Sequence, residues 1–174
     1  MDNGLLVLRL VVGLLIAGHG VQKVSFRLGG SGLAGGTEEF RRDGFRGGVV
    51  TALAAGGSQI AAGLFLAAGL LTPAATAAAI GVMTVAGTIK WRKGLWVQND
   101  GYEYPLVLVT ACAALALAGP GRWSLDHALG LSGRPLWVSI AAIAIGSASG
   151  LVTRMVLRRP SARHQKTNGS TTHA

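Results

Sequence analysis

The chain alternates between long apolar runs and short polar joints. Five runs stand out, over about residues 4–22, 49–71, 74–90, 104–119 and 135–157. A helix needs about 20 mostly apolar residues to cross hydrocarbon, within a range of about 17–25. The second and fifth runs meet that length outright. The third and fourth are shorter and must borrow flanking residues such as Lys90 and Gly119. Arg9 alone interrupts the first. No charge occurs between residues 47 and 89, a stretch about twice one crossing. Leu70-Leu71-Thr72-Pro73 divides it, because proline suits a first helical turn and breaks what precedes it. The pattern predicts an all-α membrane protein: a four-helix transmembrane bundle over residues 1–130 and a fifth, C-terminal transmembrane helix over 135–157. Residues 158–174 form a basic, polar tail expected to be disordered.

Composition supports the membrane reading. Only 13% of residues are charged and 50% are hydrophobic, where soluble domains carry about 25% charged residues. Glycine, at 27 residues, and alanine are abundant. They bury little apolar area, yet in lipid they let helix backbones approach closely. The N-terminus, Met1-Asp2-Asn3-Gly4, has no positive region and Arg9 follows inside the run. A cleaved signal has the opposite arrangement, so a retained first helix is expected.

A net charge of +9 would suggest nucleic acid in a soluble protein. Five crossings distribute it differently. Lys23, Arg27, Arg41, Arg42, Arg46, Lys90, Arg92, Lys93, Arg154, Arg158, Arg159, Arg163 and Lys166 fall on one side. Arg122 and Arg134 fall on the other. The positive-inside rule then places the N-terminus outside the cell membrane and the tail in the cytoplasm. The charge reads as topology rather than nucleic-acid binding, with anionic membrane lipid as the natural partner.

Charged groups within a membrane are costly and mark candidate chemistry. Arg9 either snorkels to the outer surface or is buried in a pairing or binding site. His19 and Lys23 share one helix face, with Gln22 close to it. His19 is either an interfacial hydrogen-bonding residue or part of a site. Gln59 lies mid-membrane, as helix glue or as a ligand contact. Tyr102 and Glu103 open the fourth run, where Glu103 suits a helix N-terminus and lies level with His19 and Lys23. A cross-bundle pair of Glu103 with one of them is expected. Arg122 and Asp126 lie four apart beyond the fourth run, at the end where Arg9 sits. In the first loop, Thr37 is a candidate cap for a short helix whose Phe40 dips into the interface. Of the four histidines, only His19 falls inside a run, so two-histidine haem ligation lacks a second ligand. No metal-binding cluster is legible. The one cysteine, Cys112, lies in an apolar run and reads as a small buried residue.

Several of these residues sit in familiar surroundings. Arg9-Leu10, Gly13 and His19-Gly20-x-Gln22-Lys23 resemble the first-helix motif of the DoxX family. Gly63-Leu64 and Gly69-Leu70-Leu71-Thr72 are similar to its second-helix ending. Gly101-Tyr102-Glu103-Tyr104-Pro105 and Gly119-Pro120-Gly121-Arg122-Trp123-Ser124-Leu125-Asp126 are similar to its two later signatures. The resemblance covers roughly residues 5–130. Where the family often has a glutamate early in helix two, this chain has Gln59 or its neighbours, which removes one titratable group. The family core is usually four helices, and this chain adds a fifth.

The resemblance implies an integral membrane subunit of an oxidoreductase complex. Relatives include the membrane part of a thiosulfate:quinone oxidoreductase, and others are described as anchors for soluble redox or detoxifying enzymes. The cofactor this allows is a quinone, although none is evident in the residues themselves. The partners it allows are a soluble oxidoreductase and a second copy of the chain. On that reading His19 would hydrogen-bond a quinone carbonyl or pass a proton. Lys23 would favour negative charge on a ring oxygen or a sulfur oxyanion, and Glu103 would pair with one of these cations. A non-catalytic scaffold and a small-molecule transporter are the alternatives. Gly56-Gly57 is the one place where a transporter-like broken helix could occur.

Overall fold

The computed structural model describes residues 2–158. The predicted disordered tail, from Arg159 onward, lies outside the described residues. In chain order the α-helices are α1 (Asp2–Val24), α2 (Gly32–Arg42), α3 (Val49–Ala68), α4 (Thr72–Lys90), α5 (Glu103–Ala118), α6 (Leu125–Ala128) and α7 (Leu136–Leu157). No strand occurs among the described residues.

Small residues set how the helices pack. Gly13 and Gly20 on α1 lie seven apart, as do Gly56 and Gly63 on α3. A Cβ on Gly13 would come within 2.5 Å of the Gly63 carbonyl oxygen, and one on Gly20 within 2.6 Å of that of Gly56. The pairing runs in opposite directions along the two helices, so α1 and α3 are antiparallel with their backbones in contact. Helices α4 and α7 meet similarly. A Cβ on Gly146 would lie 2.5 Å from the Ala77 carbonyl oxygen, and Gly150 packs on the Gly81 carbonyl. Here the numbering rises together, so α4 and α7 are parallel. Gly146-x3-Gly150 therefore makes a contact within one chain. In lipid, close approach of this kind supplies packing that the hydrophobic effect does not.

The α3–α4 hairpin turns where the Thr72-Pro73 signal places it. Gly69 closes α3 in the left-handed region (φ 65°), and its amide bonds back to Leu66. Leu71 (φ 47°) then redirects the chain into α4, whose first turn carries Pro73. Gly56-Gly57 does not break α3, which is continuous from Val49 to Ala68.

The core lies where these helices converge. Ile16, Leu66, Ala79, Ile80, Leu108, Cys112 and Leu115 are fully or almost fully buried. Outside it, Val7, Val11 and Leu14 on α1, Val50 on α3, and Ile145 and Met155 on α7 point outward. Such an apolar exterior suits lipid and not water. Four helices, α1, α3, α4 with its following turn, and α7, are long and apolar enough to cross a membrane. Helix α5 has 16 residues, or about 24 Å of helix. It nevertheless runs the bundle end to end. Its Tyr104 bonds His19 at one end, and Pro120, just beyond it, bonds Arg9 at the other.

The first loop folds over the His19 end. Helix α2 starts after Ser31, not at Thr37, whose hydroxyl bonds the Leu33 carbonyl inside the helix (2.7 Å). Phe40 does not dip into an interface. It is buried edge-on to Phe45, with ring centroids 5.4 Å apart, and packs over Ala52. The α7 terminus closes the same layer, where Arg46 N–H donates to the Leu157 carbonyl (2.8 Å) and Arg154 to that of Asp43 (3.0 Å).

Candidate functional site

Two polar centres occupy opposite ends of the bundle. Arg9 and His19 are ten residues apart on α1, or about 15 Å along its axis.

At the first, Arg9 does not snorkel. It is 1% exposed. Its guanidinium donates to the carbonyls of Ala67 (3.3 Å), Pro120 and Trp123. Gly69 makes room for it, since a Cβ there would strike the guanidinium carbon at 2.7 Å. Asp126 is fully buried beside this group. Its carboxylate accepts from the backbone amides of Leu71 and Thr72, both at 2.8 Å, and thus caps the start of α4. Arg134, not Arg122, completes the pair at 3.2 Å. Burial pushes the Asp126 carboxyl up. The amides of Thr72 and Leu71 and the Arg134 guanidinium outweigh it and hold the group below the usual aspartate range. The Arg122 side chain is exposed, and its amide donates to Asp2 (3.1 Å). This centre ties α1, the α3–α4 turn and the segment after α5 together. Its charges are consumed by backbone groups and by each other, which makes it a structural knot.

The second centre is open. A cavity of about 590 Å³ lies between α1, α2, α3, α4, α5 and α7. Its walls combine apolar residues, among them Ala55, Val82, Met83 and Ile89, with polar and charged ones that include Ser58, Lys90 and Asp100. His19 lines it, with Nε2 2.8 Å from the Tyr104 hydroxyl and Nδ1 3.0 Å from Gln22 Oε1. Gln22 in turn donates to the Leu28 carbonyl at 2.7 Å. Lys23 also lines the cavity, pairs with Glu39 at 3.2 Å and lies over the Phe40 ring. Gln59 is 3% exposed on the wall, and its Oε1 is buried without a hydrogen-bond partner among the described residues. A buried unpaired amide oxygen costs about 1–3 kcal/mol. Asp43 completes the rim. Burial first, then the charge of Glu39, pushes its carboxyl above the usual range.

The expected pairing of Glu103 with His19 or Lys23 does not occur. Glu103 accepts from the Val97 amide (2.9 Å) and does not line the cavity. It closes the 94–103 loop, while Glu39 and Tyr104 take the roles expected of it. Tyr102 is outside the cavity as well, stacked on Trp91 with centroids 4.8 Å apart. Tyr104, Glu39 and Asp43 were not among the candidate residues. Tyr104 had a signal: it lies four before Leu108 and eight before Cys112, on the buried face of α5. Glu39 and Asp43 had none, because nothing local shows that a glycine-rich loop folds back over the bundle. Among the described residues no group of three or more histidine, cysteine or acidic side chains gathers as a metal site.

An all-helical bundle with an apolar exterior and a polar-studded internal cavity defines a multi-pass membrane protein. The family model DoxX matches residues 4–91, and the chain belongs to the DoxX family. The match includes Arg9, His19, Lys23 and Gln59 and ends before Tyr104 and Asp126. No curated protein and no solved structure matches the chain.

Proposed function

We propose that this chain is a membrane subunit of an oxidoreductase complex and that its cavity receives a quinone ring. The observation that carries this reading is the buried amide oxygen of Gln59, without a hydrogen-bond partner among the described residues, in a cavity of about 590 Å³ that sets polar side chains among apolar walls. Ligand cavities commonly combine apolar walls with a few placed polar groups. A quinone has that character, with a flat apolar body and two polar oxygens. Tyr104, Lys23 and the Gln59 amide supply donors for carbonyl oxygens. The Gln59 oxygen supplies an acceptor for the hydroxyls of the reduced ring. A bound quinone would contribute two-electron, two-proton carriage. The chain's own part is to hold the ring, exclude water and keep His19 and Tyr104 hydrogen-bonded at the cavity wall.

The test is equilibrium binding of a short-chain benzoquinone to the detergent-purified protein, with quinone content measured after extraction from the native membrane. Gln59→Leu and Tyr104→Phe should each weaken binding about tenfold, the loss of one good hydrogen bond. Unchanged affinity in both folded variants would remove the cavity from the reading.

A second reading, anchorage of a soluble enzyme, is favoured by the exposed Arg27, Arg42, Arg46, Arg92 and Lys93 around the same end. Reversing Arg42 and Arg46 to glutamate would then release a co-purifying partner and leave quinone binding intact.

A further inference from the structure

A second concavity lies on the outside of the bundle and shares only a few residues with the internal cavity. It is a groove of about 650 Å³, floored by Met83, Thr84 and Gly87 of α4 and walled by α5 and α7. Helices α5 and α7 touch at the Arg9 end, where Ser139 donates to the Ala116 carbonyl (2.6 Å). At the His19 end they leave α4 uncovered between them. Gly87 deepens the floor, and a Cβ there would meet only Pro105, at 3.8 Å. The walls include Leu106, Val109 and Met155, with Leu106 and Met155 facing the lipid side.

The mouth of this groove has a different chemistry. Arg92, Arg154 and Arg158 line it, and no acidic side chain does among the described residues. Arg154 is partly engaged, by the Asp43 carbonyl and the Phe45 ring (4.7 Å). Arg92 and Arg158 are exposed. Trp91, stacked on Tyr102, flanks them as an interfacial anchor does. Several other cations at this end meet acids: Lys90 and Lys93 pair with Asp100, Lys23 with Glu39 and Arg41 with Glu38.

We propose that this groove is a binding site for one anionic phospholipid from the leaflet at the basic end. An acyl chain would lie along the apolar trough, and the phosphate would meet the arginines. Charge complementarity selects the headgroup, and the trough selects a lipid over free phosphate. Basic pockets between helices at a membrane face hold acidic lipids in this way. Guanidinium is suited to phosphate because it presents several donors in one plane.

The experiment is native mass spectrometry of the delipidated full chain, titrated with phosphatidylglycerol or with phosphatidylcholine of the same acyl chains. Phosphatidylglycerol is expected to be retained more tightly. The double variant Arg92→Gln/Arg158→Gln should lose that preference, by about fivefold for each arginine. Gly87→Leu should weaken retention of both lipids by filling the floor, while Gly87→Ala, which makes only ordinary contact, should not. Thermal melting checks that each variant is folded. Equal retention of the two lipids by the native chain would overturn the proposal. So would a preference that survives both the charge and the floor variants. Displacement by glycerol phosphate at concentrations that match the lipid would also overturn it, because the trough would then contribute nothing.

Discussion

Arg9 and Gln59 are both buried polar residues on adjacent helices, and their surroundings differ completely. The Arg9 guanidinium meets three carbonyls, and its neighbour Asp126 meets two amides and a second arginine. The Gln59 oxygen meets no hydrogen-bond donor among the described residues and lines a cavity. The first arrangement ties together three chain segments that are distant in sequence. The second keeps a cost in place that a ligand could offset. A residue's charge and depth therefore do not say whether it is structural or functional. What its polar atoms face does.

The largest effect should come from the knot. Arg9→Leu leaves three buried carbonyls without their shared donor and should cost about 3 kcal/mol or more. Arg9→Lys should recover only part of this, since an ammonium lacks the planar fork. Thermal melting of the purified variants in one detergent measures both. Next, Gly13→Leu should force α1 from α3, at about 1–3 kcal/mol, and tests whether the backbone contact is needed to position either centre. Gln59→Leu should move the other way. Removing an unpaired amide should leave the ligand-free protein as stable or raise its stability by about 1 kcal/mol. A clear loss of stability there would show that Gln59 is helix glue and would erase the contrast.

The smallest effect is in pH. Asp126 is held below its ordinary value of 3.8, so its contribution is present above that pH and drains away as pH falls through the lower folded value. Asp43 is raised, so at neutral pH its charge opposes folding and the penalty disappears as pH falls through the raised value. Asp43→Asn should therefore raise the melting temperature slightly at neutral pH and leave it unchanged once the native group is protonated. Melting curves of the native chain, Asp126→Asn and Asp43→Asn across pH separate the two behaviours.

Much of the architecture was legible in the chain. Apolar runs of membrane length, the Thr72-Pro73 break and the residues of the DoxX motifs lead directly to α1, α3, α4, α5 and α7. Hydrophobic length and proline geometry act locally, so sequence carries them. That Arg9, His19, Lys23 and Gln59 are polar groups in or beside apolar runs was legible too, because the cost of burying them in lipid needs no fold to be stated. Their partners were not. Glu103 is the counterion expected for His19 or Lys23, since all three lie at the same membrane level. Level fixes only one coordinate, and rotation about α5 fixes the other. That rotation turns Tyr104 inward and leaves Glu103 to the 94–103 loop. The fold-back of residues 25–48 brings Glu39 to Lys23 instead, and Arg134 reaches Asp126 from eight residues away while adjacent Arg122 stays exposed. Sequence by itself thus determined which segments enter the membrane and which side chains are expensive there. Tertiary structure alone decided which of those side chains are satisfied and which are left facing a cavity, because pairing depends on helix rotation and loop path, and neither leaves a local mark on the chain.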